Sequence, residues 1–221
     1  MHTLKVCIFL CKIMKQQFIF INGWEPKENF ENYTDMLRKL EYNPYEEKFL
    51  SWNKTLWKKL WEDWEYFRAP LHDRDFADYE SWKIMFEKMI PFLNPEIYLW
   101  ASSLGWTFIL KYIWENDGIF DPKSGKKIII KKIFFIAAAI EDSKNEVLWS
   151  FEIDLEKIYN KISRWCQQIY IYHSHDDTVV PFEQSLKLNS YFPEAIFREF
   201  YDKWHFYKET ELQEIIDDIK S

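Results

Sequence analysis

The sequence predicts a three-layer α/β/α domain on a mostly parallel central sheet. Three observations point there. Short apolar runs that read as buried strands recur at residues 18–21, 97–100, 128–139 and 169–172, with amphipathic helical patterns between them. A β-loop-α-β order implies right-handed crossovers and parallel neighbours. At 221 residues, 48% hydrophobic and 20% aromatic, the chain suits a single packed domain, 1–221.

The bulk numbers also exclude. A net charge of −7 argues against nucleic-acid binding by phosphate neutralisation. The run Lys126-Lys127-III-Lys131-Lys132 reads as the solvated ends of a strand. Cys7, Cys11 and Cys166 form no even framework and no CxxC, so reduced thiols and a cytoplasmic location are expected, with no structural zinc. No apolar run is long enough to cross a bilayer, so no membrane partner is expected. Residues 1–16 are a candidate N-terminal extension, and Met14 is an alternative start.

In chain order, residues 18–21 form the first strand and end at Asn22-Gly23-Trp24. With only four glycines in the chain, each is expected to mark a backbone constraint. Residues 25–66 read as two helical pieces. Phe30, Tyr33, Met36, Leu37 and Leu40 form one stripe, and Trp52, Leu56, Trp57, Leu60, Trp61 and Trp64 the other. Such stripes are expected in the core first and along an apolar pocket second.

Residues 65–70 read as the next strand, stopped by Pro70. Residues 79–92 read as an amphipathic helix through Trp82, Met85, Phe86, Met89 and Ile90. Asn116-Asp117-Gly118 stops the helix after the third strand. After the strand at 128–139, residues 141–163 are an excursion with a helix near 154–162, a candidate small cap. The strand at 169–172 leads into the loop His173-Ser174-His175-Asp176-Asp177, and Val180-Pro181 opens a helix. Residues 195–201 are the last strand, Asp202 to Phe206 the loop after it, and 209–219 the closing helix.

The chemistry is organised around residues 96–113, EIYLWASSLGWTFILKYI. An apolar strand passes through Ala101-Ser102-Ser103 directly into a helix on which Leu104, Phe108, Ile109, Tyr112 and Ile113 share a face. A serine at a sharp strand-to-helix corner needs small residues two before and two after it, and Ala101 and Gly105 fill those places. The competing explanation is that Ser102 and Ser103 only cap the helix.

Two further residues join Ser103. Asp177 and His205 each follow a predicted strand, at the carboxyl edge where ligands bind in parallel sheets. Asp176 competes for the acid, but the spacing to Val180-Pro181 favours Asp177. His173 and His175 could form a metal pair, yet they lie two apart with no third ligand nearby, and no metal is expected. The order Ser103…Asp177…His205 is that of a nucleophile, orienting acid and general base in the α/β hydrolases.

With these pieces in hand, the chain resembles the small, lid-poor α/β-hydrolase branch that includes the retinoblastoma-binding serine hydrolase and its bacterial relatives. The matching pieces are FIFINGW, YESWKIMFEK, YLWASSLGWTFILKYIWEN, IYIYHSHDDTVVPF and WHF with its terminal helix, spanning roughly residues 17–220. The resemblance implies a serine-hydrolase fold; the substrates expected from the chain as a whole are small esters, and in a wider reading amides or thioesters. Catalysis would run through Ser103, Asp177 and His205, with oxyanion N–H donors at Trp24 and Leu104. It implies no cofactor, a small-molecule partner, and a monomer or homodimer.

The chain departs from the family at Asn22-Gly23 (commonly His-Gly), at Ala101-Ser102-Ser103-Leu104-Gly105-Trp106 (commonly Gly-His-Ser-Leu-Gly-Gly) and at Trp204 (commonly Gly). Trp24, Ser102, Trp106 and Trp204 are therefore the expected pocket residues. The alternative is a weak or inactive member that serves as a binding module on the same scaffold.

Overall fold

The computed structural model of the chain describes residues 15–21, 64–69, 71, 77–142, 148–162, 164–206 and 212–221. Residues 1–14, the Asn22-Gly23-Trp24 turn, the helical stripes up to Trp61, Pro70 and the start of the closing helix at 209–211 lie outside the described residues.

Six strands run parallel. They are β1 (Gln16–Ile21), β2 (Trp64–Arg68), β3 (Glu96–Ser102), β5 (Lys127–Ile136), β6 (Cys166–Ser174) and β7 (Ile196–Phe200), in the spatial order β2-β1-β3-β5-β6-β7. A two-residue strand, β4 (Ile119–Phe120), pairs antiparallel with β5 and was not visible as a strand in the sequence. Trp64, placed by periodicity on a helical stripe, instead opens β2 and sets its ring edge-on to Tyr98 at 4.6 Å.

Side-chain alternation divides the interior between the two faces of the sheet. On one face Ile19, Ile21, Ile97, Leu99, Ala101, Ile133, Phe135 and Ile171 meet the helices α1 (Tyr79–Met89), α2 (Leu104–Asn116), α3 (Leu155–Ile162) and α4 (Phe182–Tyr191). On the other, Phe18, Phe20, Trp100, Phe134, Tyr170 and Tyr172 meet α5 (Gln213–Lys220) through Ile215, Ile216 and Ile219. The second face carries an aromatic ladder in register. Trp100 pairs with Phe134 and Phe134 with Tyr170, and the rings stack at 6.0 and 4.8 Å. Cross-strand aromatic pairs of this kind fix register as well as adding contact area.

The segment expected as a cap packs instead into the main core where it is described. Phe151, Leu155, Ile158 and Ile162 are buried, and Phe151 meets Trp82 edge-on at 4.9 Å. α3 is thus the crossover helix between two parallel strands. The Asn116-Asp117-Gly118 stop acts through Asp117, which takes the left-handed conformation (φ 54°), while Gly118 N–H returns to Ile113 C=O at 2.9 Å. Pro181, expected in the first turn of a helix, sits just before α4 as its N-cap residue.

Candidate active site

β3 ends at Ser102 and α2 begins at Leu104, so Ser103 alone turns the chain. Its backbone sits at φ 48°, ψ −127°. Such a conformation suits glycine and strains other residues by roughly 1–3 kcal/mol. The surroundings hold it in place. Ser103 N–H donates to Ile136 C=O at 3.0 Å, and Ala101, Leu104 and Gly105 are all buried around it. The Ser103 side chain makes no capping hydrogen bond to the helix. Capping therefore does not account for this serine, although serine commonly does that work. Leu104 is the first residue of α2, where a backbone N–H has no intrahelical acceptor and stands at the positive end of the helix dipole.

The carboxyl ends of the strands are laced together. Ser103 N–H bonds Ile136 C=O at the end of β5, Ala137 N–H bonds Tyr172 C=O in β6, and His175 N–H bonds Phe200 C=O at the end of β7. Each strand's outgoing loop is tied to its neighbour's last residues. The loops after β3, β5, β6 and β7 consequently form one rim.

On that rim His205 Nδ1 lies 2.7 Å from Asp177 Oδ2, both side chains fully buried. A carboxylate only accepts, so Nδ1 carries the proton, and in the neutral ring Nε2 keeps its lone pair. Asp177 Oδ1 accepts Val179 N–H at 2.8 Å and Val180 N–H at 3.0 Å, and Oδ2 also faces His173 Nε2 at 3.1 Å. Burial alone would raise the Asp177 carboxyl. The hydrogen bonds and charge of His173 and His205 outweigh it and hold the group down at about 2.

Asp176 does different work. It accepts Trp204 N–H at 2.9 Å and Ser174 O–H at 2.5 Å, which clips the β7 loop to the β6 loop. His205 itself is flanked by Trp204 and Phe206, both with left-handed backbones (φ 46° and 57°). Two non-glycine residues in that region on either side of one histidine mark a loop whose shape is imposed by its contacts.

Solved structures share the fold of this chain. No family profile matches the sequence, and no curated protein sequence does. The ydeN gene product of B. subtilis superposes with a TM-score of 0.65 over 94% of this chain and 97% of its own, at 18% identity. Est1E from Butyrivibrio proteoclasticus gives 0.56 over 94% and 86% at 14% identity. The 2-hydroxy-6-oxo-6-phenylhexa-2,4-dienoate hydrolase of Rhodococcus sp. strain RHA1 gives 0.57 over 93% and 89% at 11% identity.

The chain has the α/β-hydrolase fold. In this α/β-hydrolase sheet the order reverses between β1, whose outer neighbour is β2, and β3, which is followed outward by β5. The switch point of a parallel sheet is the usual place for a ligand, and Ser103 follows β3 at that point. Ser102 is half-buried at the end of β3.

Trp106, expected to line the pocket, is fully buried instead. Its N–H donates to Ala139 C=O at 2.8 Å and its ring meets Phe135 edge-on at 5.2 Å, so it supports the loop after β5 and offers a ligand no surface. It lies three residues after the serine, nearly one turn along α2, and packs on the sheet side. Trp204 is partly exposed and leans back on the acid loop, its N–H on Thr178 Oγ1 at 2.7 Å. Trp24 lies outside the described residues.

The two histidines weighed as a metal pair have separate partners. His173 is directed inward at Asp177 and Ser185 Oγ. His175 stacks between Phe182 (3.6 Å) and Tyr201 (4.4 Å) and bonds Glu199 at 2.9 Å. His173 as a partner of the acid was not read from the sequence. The signal was its spacing of four from Asp177 at the end of a buried strand. No helix among the described residues is long and apolar enough to cross a membrane.

Proposed function

We propose that the protein is a serine hydrolase of small esters, with amides and thioesters as chemically related substrates, and that the reaction passes through an acyl-enzyme on Ser103. The observation that carries this reading is the His205–Asp177 bond on the rim that also bears, in a strained turn, a serine whose side chain does not cap its helix. His205 Nε2 takes the proton of Ser103 Oγ as the hydroxyl attacks the acyl carbon. Leu104 N–H, with Trp24 N–H as the second donor, stabilises the oxyanion; losing one such donor typically lowers the rate by ~10²–10³. The imidazolium then protonates the leaving group. The same histidine activates water to release the acid. These steps need no cofactor.

Support also comes from what the structural neighbours are named: an esterase domain from Rhodothermus marinus, a monoacylglycerol lipase from Paleococcus ferrophilus and the dienoate hydrolase above. The tryptophan-rich segments suggest an apolar or aromatic acyl or leaving group. A binding module on the same scaffold is the rival, favoured by the 4% exposure of Ser103. Labelling with a fluorophosphonate probe separates them. Wild type should label, and Ser103→Ala and His205→Ala should not. A folded wild type that stays unlabelled overturns the hydrolase reading in favour of the binding module.

A further inference from the structure

A histidine that the proposed reaction does not use stands behind its acid. His173 is the penultimate residue of β6, and none of its side chain reaches solvent. Its Nε2 lies 3.1 Å from Asp177 Oδ2 and 3.0 Å from Val180 C=O. Both oxygens only accept, so Nε2 carries a proton directed between them. Its Nδ1 lies 2.5 Å from Ser185 Oγ on α4, whose hydroxyl donates to it. The Phe182 ring packs edge-on against the imidazole at 5.6 Å. Both ring nitrogens are thus spent. Asp177 in turn receives donors from His173, His205, Val179 and Val180, which fills the acceptor sites of one carboxylate.

We propose that His173 is a positioning residue that shares Asp177 Oδ2 with His205 and so sets how strongly the acid holds the general base. The inference deepens the serine-hydrolase reading and rests on it for its catalytic consequence. Two N–H donors on one oxygen divide its charge. Without His173, more negative charge faces His205 Nδ1 in a site shielded from water, and the imidazolium form of His205 becomes favoured. The histidine would then hold its proton to higher pH and serve less well as a base near neutrality. Among the other charged and titratable groups nearby, His175 pairs with Glu199 at 2.9 Å and Lys203 is half-buried. Asp176 and Asp202 are exposed, Lys203 pairs with Asp202 at 3.5 Å, and Glu183 is exposed on α4.

The test is ¹⁵N NMR of the histidine rings in the full-length protein, comparing wild type, His173→Leu and His173→Gln. In wild type, His173 should be protonated on Nε2 and bare on Nδ1; the opposite tautomer overturns the proposal, whether or not the variants fold. In His173→Leu, the His205 titration should move up by about one unit. His173→Gln, whose amide N–H can reach Asp177, should bring it back toward the wild-type value. A His173→Leu protein that only loses stability, with His205 titrating as in wild type, shows a merely structural role and overturns the proposal. The pH at which fluorophosphonate labelling rises should follow His205. If wild type does not label at all, the hydrolase reading falls, while the NMR result still decides the role of His173.

Discussion

Asp177 Oδ2 is 2.7 Å from His205 Nδ1, although 28 residues of chain separate them. The acid follows β6 and the base follows β7, and the pair forms because those strands are parallel neighbours with His173 registered on Glu199 and Ser174 on Phe200. Pairing is a property of the sheet, and the hydrogen bond inherits its precision.

Replacing Asp177 by Asn keeps the shape and reverses a donor. The amide oxygen will face Val179 and Val180 N–H, which turns the NH₂ toward two imidazole N–H groups. His205 should respond by moving its proton to Nε2, the wrong atom for a base. Activity should fall by about 10⁴ in kcat with little change in KM. Steady-state kinetics on a p-nitrophenyl ester would show it; a loss of under tenfold would place the acid elsewhere.

Acid stability should report the same carboxyl. Its folded value, about 2, lies below the ordinary 3.8, so the stabilisation is fully present above about pH 4 and is lost as pH falls toward 2. The size is about 2 kcal/mol. Urea unfolding of wild type and Asp177→Asn between pH 5 and 2 should show the gap between them narrowing as pH falls. A gap independent of pH would mean that Asp177 is not held ionised by its partners.

Ser103→Gly should stabilise the protein while ending its chemistry. Glycine relieves a turn at φ 48°, ψ −127°. The gain should be about 1 kcal/mol, less the added entropy of the unfolded chain. Thermal unfolding should show a higher Tm and probe labelling should vanish. A lower Tm would mean that the serine hydroxyl contributes more to stability than the turn costs.

Asp218 ties α5 to the aromatic face of the sheet. It accepts Arg198 Nη2 at 2.8 Å and Nε at 3.1 Å in a bidentate pair, and Tyr172 O–H at 2.5 Å. Burial, then the Asp218 carboxylate beside it, pushes the Tyr172 hydroxyl far up, so it stays a donor at every accessible pH. Asp218→Ala would strand that buried hydroxyl, while the exposed Arg198 can turn to water, at a cost of about 2 kcal/mol measured by denaturant unfolding. A loss below about 1 kcal/mol would mean that the apolar face of α5 holds it alone.

Much of this was legible in the residues themselves. Continuous apolar runs gave β1, β3 and β6, because a strand buried on both faces has few polar positions. The corner at Ser103 was legible because Ala101 and Gly105 satisfy a steric demand that is local to the chain. The αL stop at Asp117 is local as well. What the sequence could not carry was which side of an element a residue meets and what waits there. Trp106 read as a pocket wall and is a core residue, because the rotation of α2 on the sheet is set by packing against Phe135 and the Ala139 carbonyl. Trp64 fitted a helical period, yet β1 recruited it into a strand. The choice between Asp176 and Asp177 followed from a spacing, but their separate tasks depend on where the β7 loop folds back. From its chain neighbours alone His173 was weighed only as a metal ligand, and disfavoured as one, with no other role assigned to it. Its partners Asp177, Val180 and Ser185 are brought to it by the turn into α4, and of these only the spacing of four to Asp177 left a trace in the sequence.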